Sequence, residues 1–370
     1  MKDIFAGMVP PHVEAISPYI PGKPVDEVER ELGITGAIKL ASNENPLGPS
    51  PKGLLALRGA LDGVHFYPDG GGFRLRRALS ERLGVTEDEI MLGAGSNDLI
   101  DLLVRTFCAP GRDDVLTHRH AFFMYKISCM AAGVTLVESD ATAELACDVD
   151  ALVAGITPRT KLIFLPNPNN PTGSYVPRSD FEKLLEKVPP HVLLVVDEAY
   201  HEYALARADY PVAEKYRSKE RPLLVTLRTF SKIHGLAGLR VGYGISHPRV
   251  VSYLNRVRLP FNVSSVAQDA ARAALDDLEH VERSRRATLD GISQLTAGFS
   301  ALGQRVYPSA ANFVLVDVGR DAQPVYQALL RKGVIVRPLR PAGLNEHVRV
   351  SVGTALENAR AIKAMGEVLG

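Results

Sequence analysis

The pattern of short apolar segments constrains the fold of this chain more than any other feature. Seven segments between residues 89 and 245 are apolar and largely without alternating polar residues, as expected of strands that are buried on both faces. They are Glu89–Leu92, Val115–Thr117, Val134–Val137, Lys161–Leu165, Val192–Val196, Leu223–Leu227 and Val241–Ile245. Helical patterns such as Asn97–Phe107 lie between most of them. Strands that alternate with helices predict an α/β fold with a mostly parallel sheet and helices on both sides.

The pattern changes after Pro260. A charged stretch from Ser265 to about Leu302 has helical spacing and contains no proline, which predicts one long helix. Further elements follow, namely strand-like Phe313–Val318, a helix near Gln323–Arg331, strand-like Val334–Arg337 and Val348–Val352, and a C-terminal helix. We interpret this part as a smaller α+β domain, against which the irregular N-terminus packs. The predicted division is a large domain of residues 46–262 and a small, discontinuous domain of residues 1–45 and 263–370.

Charge and composition exclude several classes of protein. The 43 basic and 42 acidic residues nearly cancel, so we expect no nucleic-acid partner. The longest aliphatic run, Val192–Val196, is far shorter than the roughly 20 apolar residues of a membrane span. The N-terminus lacks the apolar region of a secretory signal. Three cysteines without CxxC spacing favour neither a disulfide framework nor a metal site, and fit a reducing compartment.

Two polar segments lie at places where an α/β sheet binds ligands. Gly93–Asp98 (GAGSND) joins a strand to a helix, so that free N–H groups and the helix dipole favour an anion. Asp98 stands where a dinucleotide-binding GxGxxG motif has its third glycine, and a simple turn with a helix cap remains an alternative. Asn167–Gly173 (NPNNPTG) is a rigid loop at the carboxyl end of a strand, with a structural turn as its alternative.

Two further segments carry charged side chains after buried strands. Asp197–Tyr200 (DEAY) follows VLLVV, and a buried acid there needs a cation or a protonated ring nitrogen, unless it only caps the next helix. No P-loop accompanies these acids, which argues against a nucleotide-bound metal. Lys232 lies among small and apolar residues in Thr229–Gly235 (TFSKIHG). A desolvated lysine has a lowered pKa and can act as a nucleophile, whereas most isolated lysines are solvated surface residues.

Taken together and in this order, the four segments resemble the fold-type I pyridoxal-phosphate aminotransferases, from about Pro46 to Arg349. The resemblance implies a seven-stranded-type central sheet and pyridoxal 5'-phosphate as cofactor. It implies that Lys232 binds the cofactor aldehyde covalently and later moves the substrate proton, while Asp197 pairs with the pyridinium nitrogen. The other cofactor contacts that it implies are Tyr200 and Asn170 at the ring 3'-oxygen, Phe122 stacked on the ring, and Ser96, Asn97, Ser231 and Arg240 at the phosphate.

Within that superfamily the chain resembles the histidinol-phosphate aminotransferase family. The matching segments are SPYIPGKP (17–24), LASNENPLGPSP (40–51), FYPDGGG (66–72) and VRVSVGT (348–354). This resemblance implies that Arg349 binds an α-carboxylate, that Arg337 binds the substrate phosphate, and that Tyr19 and Asn45 lie near the substrate. It also implies that Tyr67 reaches the phosphate site of a partner subunit, and therefore a homodimer with shared active sites.

The implied reaction is transamination between L-histidinol phosphate and 2-oxoglutarate, a cytoplasmic step of histidine biosynthesis that needs no metal. Two alternatives share the scaffold, an aminotransferase for aromatic amino acids and a phosphothreonine decarboxylase. Arg337 favours a substrate that carries a phosphate. Two positions depart from the family pattern: His234 stands where relatives often carry an apolar residue, and the loop at residues 341–347 lacks the aromatic residue of many relatives.

Overall fold

The computed structural model describes residues 7–18, 21–217 and 223–370. In this part of the chain the α-helices, α1 to α14, are Pro11–Glu14, Val25–Leu32, Pro51–Ala60, Phe73–Leu83, Ser96–Phe107, Met124–Ala131, Val149–Ala154, Arg178–Lys187, His201–Ala204, Pro248–Val257, Ser265–Leu275, Leu278–Ala301, Ala322–Arg331 and Ala355–Leu369. The strands, β1 to β13, are Ile38–Lys39, Ile90–Gly93, Asp114–His118, Thr135–Ser139, Thr160–Pro166, Leu193–Asp197, Leu224–Thr229, Gly242–Ile245, Arg305–Tyr307, Phe313–Asp317, Val334–Ile335, Arg337–Leu339 and Leu344–Ser351.

The larger sheet has seven strands in the order β2-β8-β7-β6-β5-β3-β4. All neighbours are parallel except β8, which runs antiparallel to both β2 and β7. Every residue of β6 is buried. Leu193 and Val195 pack into the apolar core on one face of the sheet, and Leu194 and Val196 into the core on the other. Burial on both faces explains the unbroken apolar sequence of this strand, and the predicted α/β fold is confirmed.

The second sheet is antiparallel, has the order β12-β13-β10-β9, and packs against α12 and α13, on which α14 packs in turn. The described N-terminal residues join this part of the molecule, because β1 pairs in parallel with β11. Val28 and Ala41 pack there on Leu330 and Ile335 in a small apolar cluster. These contacts agree with a discontinuous small domain, whereas the boundaries at residues 45–46 and 262–263 stay a prediction.

The predicted continuous helix over residues 265–302 is wrong. It is two helices, α11 and α12, separated at Asp276 and Asp277. The side chain of Asp277 accepts hydrogen bonds from Ser50 Oγ at 2.6 Å and from Lys52 N at 3.2 Å, at the start of α3. These contacts with a distant segment stabilise the break.

Two smaller expectations also change. The described part of the N-terminus is less irregular than predicted, because it includes α2, which ends before Gly33 with its left-handed φ of 65°. The predicted strand Val334–Arg337 divides into β11 and β12, which belong to different sheets. No helix in the described ranges is long and apolar enough to cross a membrane.

Candidate active site

A cavity of about 450 Å³ lies at the carboxyl ends of β5, β6 and β7. Loops that follow parallel strands meet at this edge of a sheet, so the four polar segments converge although they are distant in sequence. The lining residues from these segments and the nearby Arg240 are Ser96, Asn97, Pro168, Asn170, Asp197, Ala199, Tyr200, Thr229, Ser231, Lys232 and Arg240. A second cavity of about 360 Å³ shares Lys232, Tyr200 and Asn170 with the first and extends to the antiparallel sheet.

One end of the first cavity is suited to bind an anion. Helix α5 begins there at Ser96, after Gly95, which has a φ of 81° and leaves the helix start without a side-chain cap. A Cβ atom on Gly242 would lie 2.6 Å from Ser96 N, and one on Gly95 would lie 2.6 Å from the Arg240 guanidinium. The two glycines therefore allow backbone N–H groups and a cation to approach one point, as a phosphate requires. Ser231 also lies on this wall.

Asp98 stabilises the turn before α5. Its Oδ2 accepts hydrogen bonds from Ala94 N at 2.9 Å and from Asn262 Nδ2 at 2.8 Å. Asp98, which interrupts the GxGxxG pattern, thus joins the turn before α5 to the segment that contains Asn262. A carboxylate in the first turn also interacts favourably with the helix dipole.

Asp197, the last residue of β6, lies elsewhere on the cavity wall and is 5% exposed. Its carboxylate accepts hydrogen bonds from Tyr125 Oη at 2.9 Å and from Ala199 N at 3.2 Å. Burial raises the pKa of Asp197 to about 6, although these hydrogen bonds and the charge of Lys232 act in the opposite direction. No cationic side chain among the described residues lies within ion-pair distance of Asp197. A buried carboxylate in this state is suited to a cationic ligand.

Tyr125 was not predicted as a site residue. It lies three positions after Phe122 in the segment HAFFMY and is fully buried on α6, with its ring stacked on Phe164 at 4.5 Å. The sequence carries no signal for its contact with Asp197, because the two residues are 72 positions apart.

Lys232 extends into both cavities. Its Nζ donates to the backbone carbonyl of Ser42 at 3.3 Å and lies 5.7 Å from the centre of the Tyr200 ring. Burial, followed by the charge of Arg349, lowers the pKa of Lys232 to about 8, although Glu44 opposes this shift. About half of such amines are neutral at pH 8, so Lys232 can act as a nucleophile or a base near neutral pH.

Tyr200 is oriented by Asn43, which was not predicted as a site residue. Its hydroxyl oxygen accepts a hydrogen bond from Asn43 Nδ2 at 2.8 Å. Asn43 has a left-handed φ of 54° and is bonded through both its backbone N and its Oδ1 to the hydroxyl of Ser351 on β13. Asn43 lies inside the LASNENP segment, one of the segments that carry the family resemblance, so that segment could have indicated Asn43 as a site residue.

Two arginines lie side by side on the wall of the second cavity. Arg349 on β13 and Arg337 on β12 are direct partners in the antiparallel register, and both line the cavity. The Arg349 guanidinium donates to the carbonyl of Ala41 at 2.6 Å and to Asn170 Oδ1, and it lies 5.3 Å from the Phe313 ring. Like charges that face each other across two strands repel, so an anionic ligand between them is favoured.

The remaining predicted site residues lie in different surroundings. Phe122 lines both cavities, and Phe123 beside it does too. Tyr67 lies outside both cavities of its own chain, is 83% exposed, and stacks on Phe261 at 4.8 Å. Tyr19 lies outside the described residues.

Asn45 does not line either cavity but lies behind Lys232. Its Nδ2 donates to the carbonyl of Ile233 at 2.8 Å and to Ser284 Oγ at 2.9 Å, so it connects the lysine loop to α12. His234 is buried with its ring centre 5.0 Å from that of Phe230 and lines neither cavity, and because burial lowers its pKa to about 3 it is neutral.

These groups fit a flat cofactor with a phosphate at one end and a cationic ring nitrogen at the other. The glycine-dependent cradle at Ser96 and Arg240 is suited to a phosphate, the buried carboxylate of Asp197 to a cationic ring nitrogen, and the amine of Lys232 to an aldehyde. The chemistry of this donor set is therefore that of a pyridoxal phosphate site.

Comparisons with known proteins support this interpretation. The family model described as "Aminotransferase class I and II" matches residues 35–365. The chain is 48% identical to histidinol-phosphate aminotransferase of Anaeromyxobacter sp. over 367 residues, which cover 98% of this chain and 99% of the relative. It is 49% identical to histidinol-phosphate aminotransferase 2 of Pseudomonas aeruginosa over 369 residues, with 99% and 98% coverage.

Solved structures of aminotransferases are also similar to this chain. Histidinol-phosphate aminotransferase from Sinorhizobium meliloti, in complex with pyridoxal 5'-phosphate, superposes with a TM-score of 0.89 at 29% identity and covers 98% of both chains. A mutant of aspartate aminotransferase from Thermus thermophilus gives a TM-score of 0.85 at 28% identity, with 97% and 99% coverage.

Proposed function

The chain belongs to the class I and II aminotransferase family, and we propose that it transfers the amino group of L-histidinol phosphate to 2-oxoglutarate with pyridoxal 5'-phosphate as cofactor. The products are imidazole-acetol phosphate and glutamate, and the reaction is a step of histidine biosynthesis. The observation that carries the proposal is the pair Arg337 and Arg349, which lies on the same cavity as the amine of Lys232. Each substrate has an anionic group near its reacting carbon, a phosphate in histidinol phosphate and a carboxylate in 2-oxoglutarate, which this pair can bind.

We propose the following roles in cofactor binding. Lys232 holds the cofactor aldehyde covalently, and Asp197 holds the proton of the ring nitrogen. The remaining contacts are Ser96, Asn97, Ser231 and Arg240 at the phosphate, Tyr200 and Asn170 at the ring 3'-oxygen, and Phe122 on the ring face. When bound, the cofactor supplies an aldehyde that captures the amino group and a ring that accepts the electron pair left at the substrate Cα.

The protein groups position the substrate and move its proton. With a pKa of about 8, the amine of Lys232 is matched to removing a proton from the substrate Cα near neutral pH. Asn170 accepts a hydrogen bond from Arg349 through Oδ1, so its Nδ2 hydrogens are the donors that its amide can offer to the cofactor. The same bond couples the position of the substrate anion to that of the cofactor.

The two arginines serve two different anions in turn. Arg349 presents a planar guanidinium that can bind the α-carboxylate of 2-oxoglutarate or glutamate in a bidentate manner. Arg337 would bind the phosphate of histidinol phosphate. Because the two residues are direct cross-strand partners, one small cavity can accept either substrate in alternate half-reactions.

We also propose a homodimer in which Tyr67 completes the phosphate site of the partner subunit. Several large apolar side chains near Tyr67 are exposed in the isolated chain, and burial between two copies would remove them from water. They are Phe66 at 70%, Phe73 at 54%, Leu259 at 70% and Phe261 at 44% exposure. A cytoplasmic location is part of the same proposal, since the substrates are biosynthetic intermediates.

Subunit complementation tests the shared site. The Tyr67→Ala and Lys232→Ala variants, each inactive alone, are mixed in equal amounts, unfolded and refolded together. If Tyr67 acts on the partner subunit, a mixed dimer contains one site with both residues intact, and about a quarter of all sites regain activity in a random mixture. No regained activity in a dimeric mixture would mean that Tyr67 acts within its own chain or not at all.

Spectroscopy of the purified holoenzyme tests the substrate. Histidinol phosphate, phenylalanine, tyrosine and phosphothreonine are added separately, and the loss of visible cofactor absorbance is followed in single turnovers. We expect the fastest loss with histidinol phosphate, and recovery of the absorbance on addition of 2-oxoglutarate. Faster loss with an aromatic amino acid would contradict the proposed substrate while leaving the cofactor and Lys232 in their roles.

A further inference from the structure

A hydrogen bond joins the two sheets' loops across the wall of the substrate cavity. His120, in the loop between β3 and α6, places its Nδ1 at 2.7 Å from the backbone carbonyl oxygen of Ala342. Ala342 lies in the short turn Arg340–Ala342 that follows β12. A carbonyl oxygen only accepts, so the Nδ1 of His120 carries the hydrogen.

This contact lies between two cavities. On one side is the substrate cavity of about 360 Å³, and on the other is an outer cavity of about 490 Å³ that includes Arg119, His120 and Lys126 in its lining. Phe122 and Ala342 line both cavities, so they belong to the partition between them. The bond from His120 to Ala342 therefore closes this partition at the point where the two loops meet.

The backbone of His120 is arranged to make this contact. Its φ of 59° is left-handed, a conformation that is uncommon outside glycine and that asparagine, aspartate and histidine adopt more often than other residues. The carbonyl of His120 accepts a hydrogen bond from Asn169 Nδ2 at 3.0 Å, and the same amide nitrogen donates to Thr172 Oγ1 at 2.8 Å. The rigid Asn167–Gly173 loop thus stabilises the left-handed backbone of His120. In this conformation the His120 side chain reaches the turn that follows β12 of the antiparallel sheet.

We propose that His120 is a positioning residue that holds the Arg340–Ala342 turn against the cofactor-binding part of the molecule and thereby sets the width of the substrate cavity. The proposal rests on the proposed function, because Arg337 on β12 lies only three residues before this turn. Without the bond, the turn would populate detached conformations, and substrate affinity would fall by the fraction of protein that is no longer competent to bind.

Two substitutions separate the side chain from the backbone. His120→Gly removes the donor and accepts the left-handed backbone, and we expect it to raise the KM for histidinol phosphate about threefold to tenfold, the effect of one lost hydrogen bond. We expect kcat to stay within about twofold, because no group that touches the reacting atoms changes. If the glycine variant folds poorly, His120→Asp removes the donor, because a carboxylate only accepts, while aspartate tolerates a left-handed φ; the same rise in KM is expected.

His120→Asn is the conservative variant. Its Nδ2 is as many bonds from the backbone as the Nδ1 of histidine, it donates a hydrogen, and asparagine tolerates a left-handed φ. We expect its KM to stay within about twofold of that of the wild type. Arg119→Gln is a matched control in the same loop, since Arg119 is exposed and lines only the outer cavity.

Hydrogen exchange of the holoenzyme gives a readout that does not depend on turnover. We expect the amides of residues 340–347 to exchange faster in His120→Gly than in the wild type, and to regain protection in His120→Asn, while residues 313–317 of β10 stay unchanged. Unchanged exchange and unchanged KM in the glycine variant, or a failure of asparagine to restore both, would overturn the role of His120. If neither the wild type nor any variant turns over histidinol phosphate, the proposed function fails. The hydrogen-exchange result alone then decides whether His120 holds the Arg340–Ala342 turn.

Discussion

Replacing Asp197 by asparagine should change stability in opposite directions in the cofactor-free and the cofactor-bound protein. In the cofactor-free protein the carboxylate is buried without a cationic partner among the described residues, and its pKa is about 6 instead of 3.8. At 1.36 kcal/mol per pKa unit, ionisation of Asp197 opposes folding by about 3 kcal/mol. Asparagine removes this charge and can keep both hydrogen bonds, because its Oδ1 accepts from Ala199 and its Nδ2 can donate to Tyr125.

The sign of the pH dependence follows from the direction of this pKa shift. The pKa of Asp197 is higher in the folded than in the unfolded state, so its contribution to the stability of the folded state is lost as the pH rises from about 4 to above 6. The cofactor-free Asp197→Asn protein should therefore be more stable than the wild type at pH 8 and equal to it below pH 4. With an unfolding entropy of about 2.1 cal/mol/K per residue, the gain at pH 8 corresponds to a Tm increase of about 4 °C.

With cofactor bound, the same substitution should lower stability, because it weakens cofactor binding. The charge-assisted bond between Asp197 and the ring nitrogen is worth about 2 to 3 kcal/mol, so cofactor affinity should fall roughly 30- to 160-fold. Thermal unfolding with and without cofactor at several pH values measures both effects. Asp290→Asn, on the exposed side of α12, is the control and should change stability by less than about 0.5 kcal/mol. A cofactor-free Asp197→Asn protein that is less stable than the wild type at pH 8 would refute the reasoning.

Four further substitutions test the other groups of the site. Lys232→Ala should abolish turnover and leave the far-UV circular dichroism unchanged; retained transamination would exclude the proposed role of the lysine. Tyr125→Phe removes a hydrogen bond that lowers the pKa of Asp197, so the carboxylate should become protonated at a higher pH. As the pH falls, cofactor affinity should therefore be lost at a higher pH than in the wild type; an unchanged midpoint would contradict this. Arg337→Ala should reduce kcat/KM for histidinol phosphate far more than for glutamate, and equal losses in steady-state assays would remove its assignment to the phosphate. Asn45→Ala should lower kcat about tenfold with little change in KM, because the lysine loop loses a buried hydrogen bond; an unchanged kcat would make Asn45 dispensable.

Local sequence patterns were sufficient for the α/β core and for the place of the site. Strands such as β6 are buried on both faces and are therefore apolar along their length, which a single sequence displays. Polar residues that follow such strands meet at one edge of a parallel sheet, so the convergence of Lys232 and Asp197 could be predicted. Where local pattern and tertiary contact disagree, the sequence misleads: helical spacing continues past Asp277, but the contact of its carboxylate with Ser50 stabilises a break.

The sequence by itself was thus sufficient for the α/β core and for the position of Lys232 and of the acid Asp197 after buried strands, because these depend on burial and on strand ends. Only the tertiary structure decided that Tyr125 orients that acid, that Arg337 and Arg349 are cross-strand partners, and that Asn45 supports the lysine loop from behind. Such contacts join residues that are 12 to 188 positions apart. They depend on how distant segments meet in the folded chain, whereas the periodicity of a sequence reports local structure only.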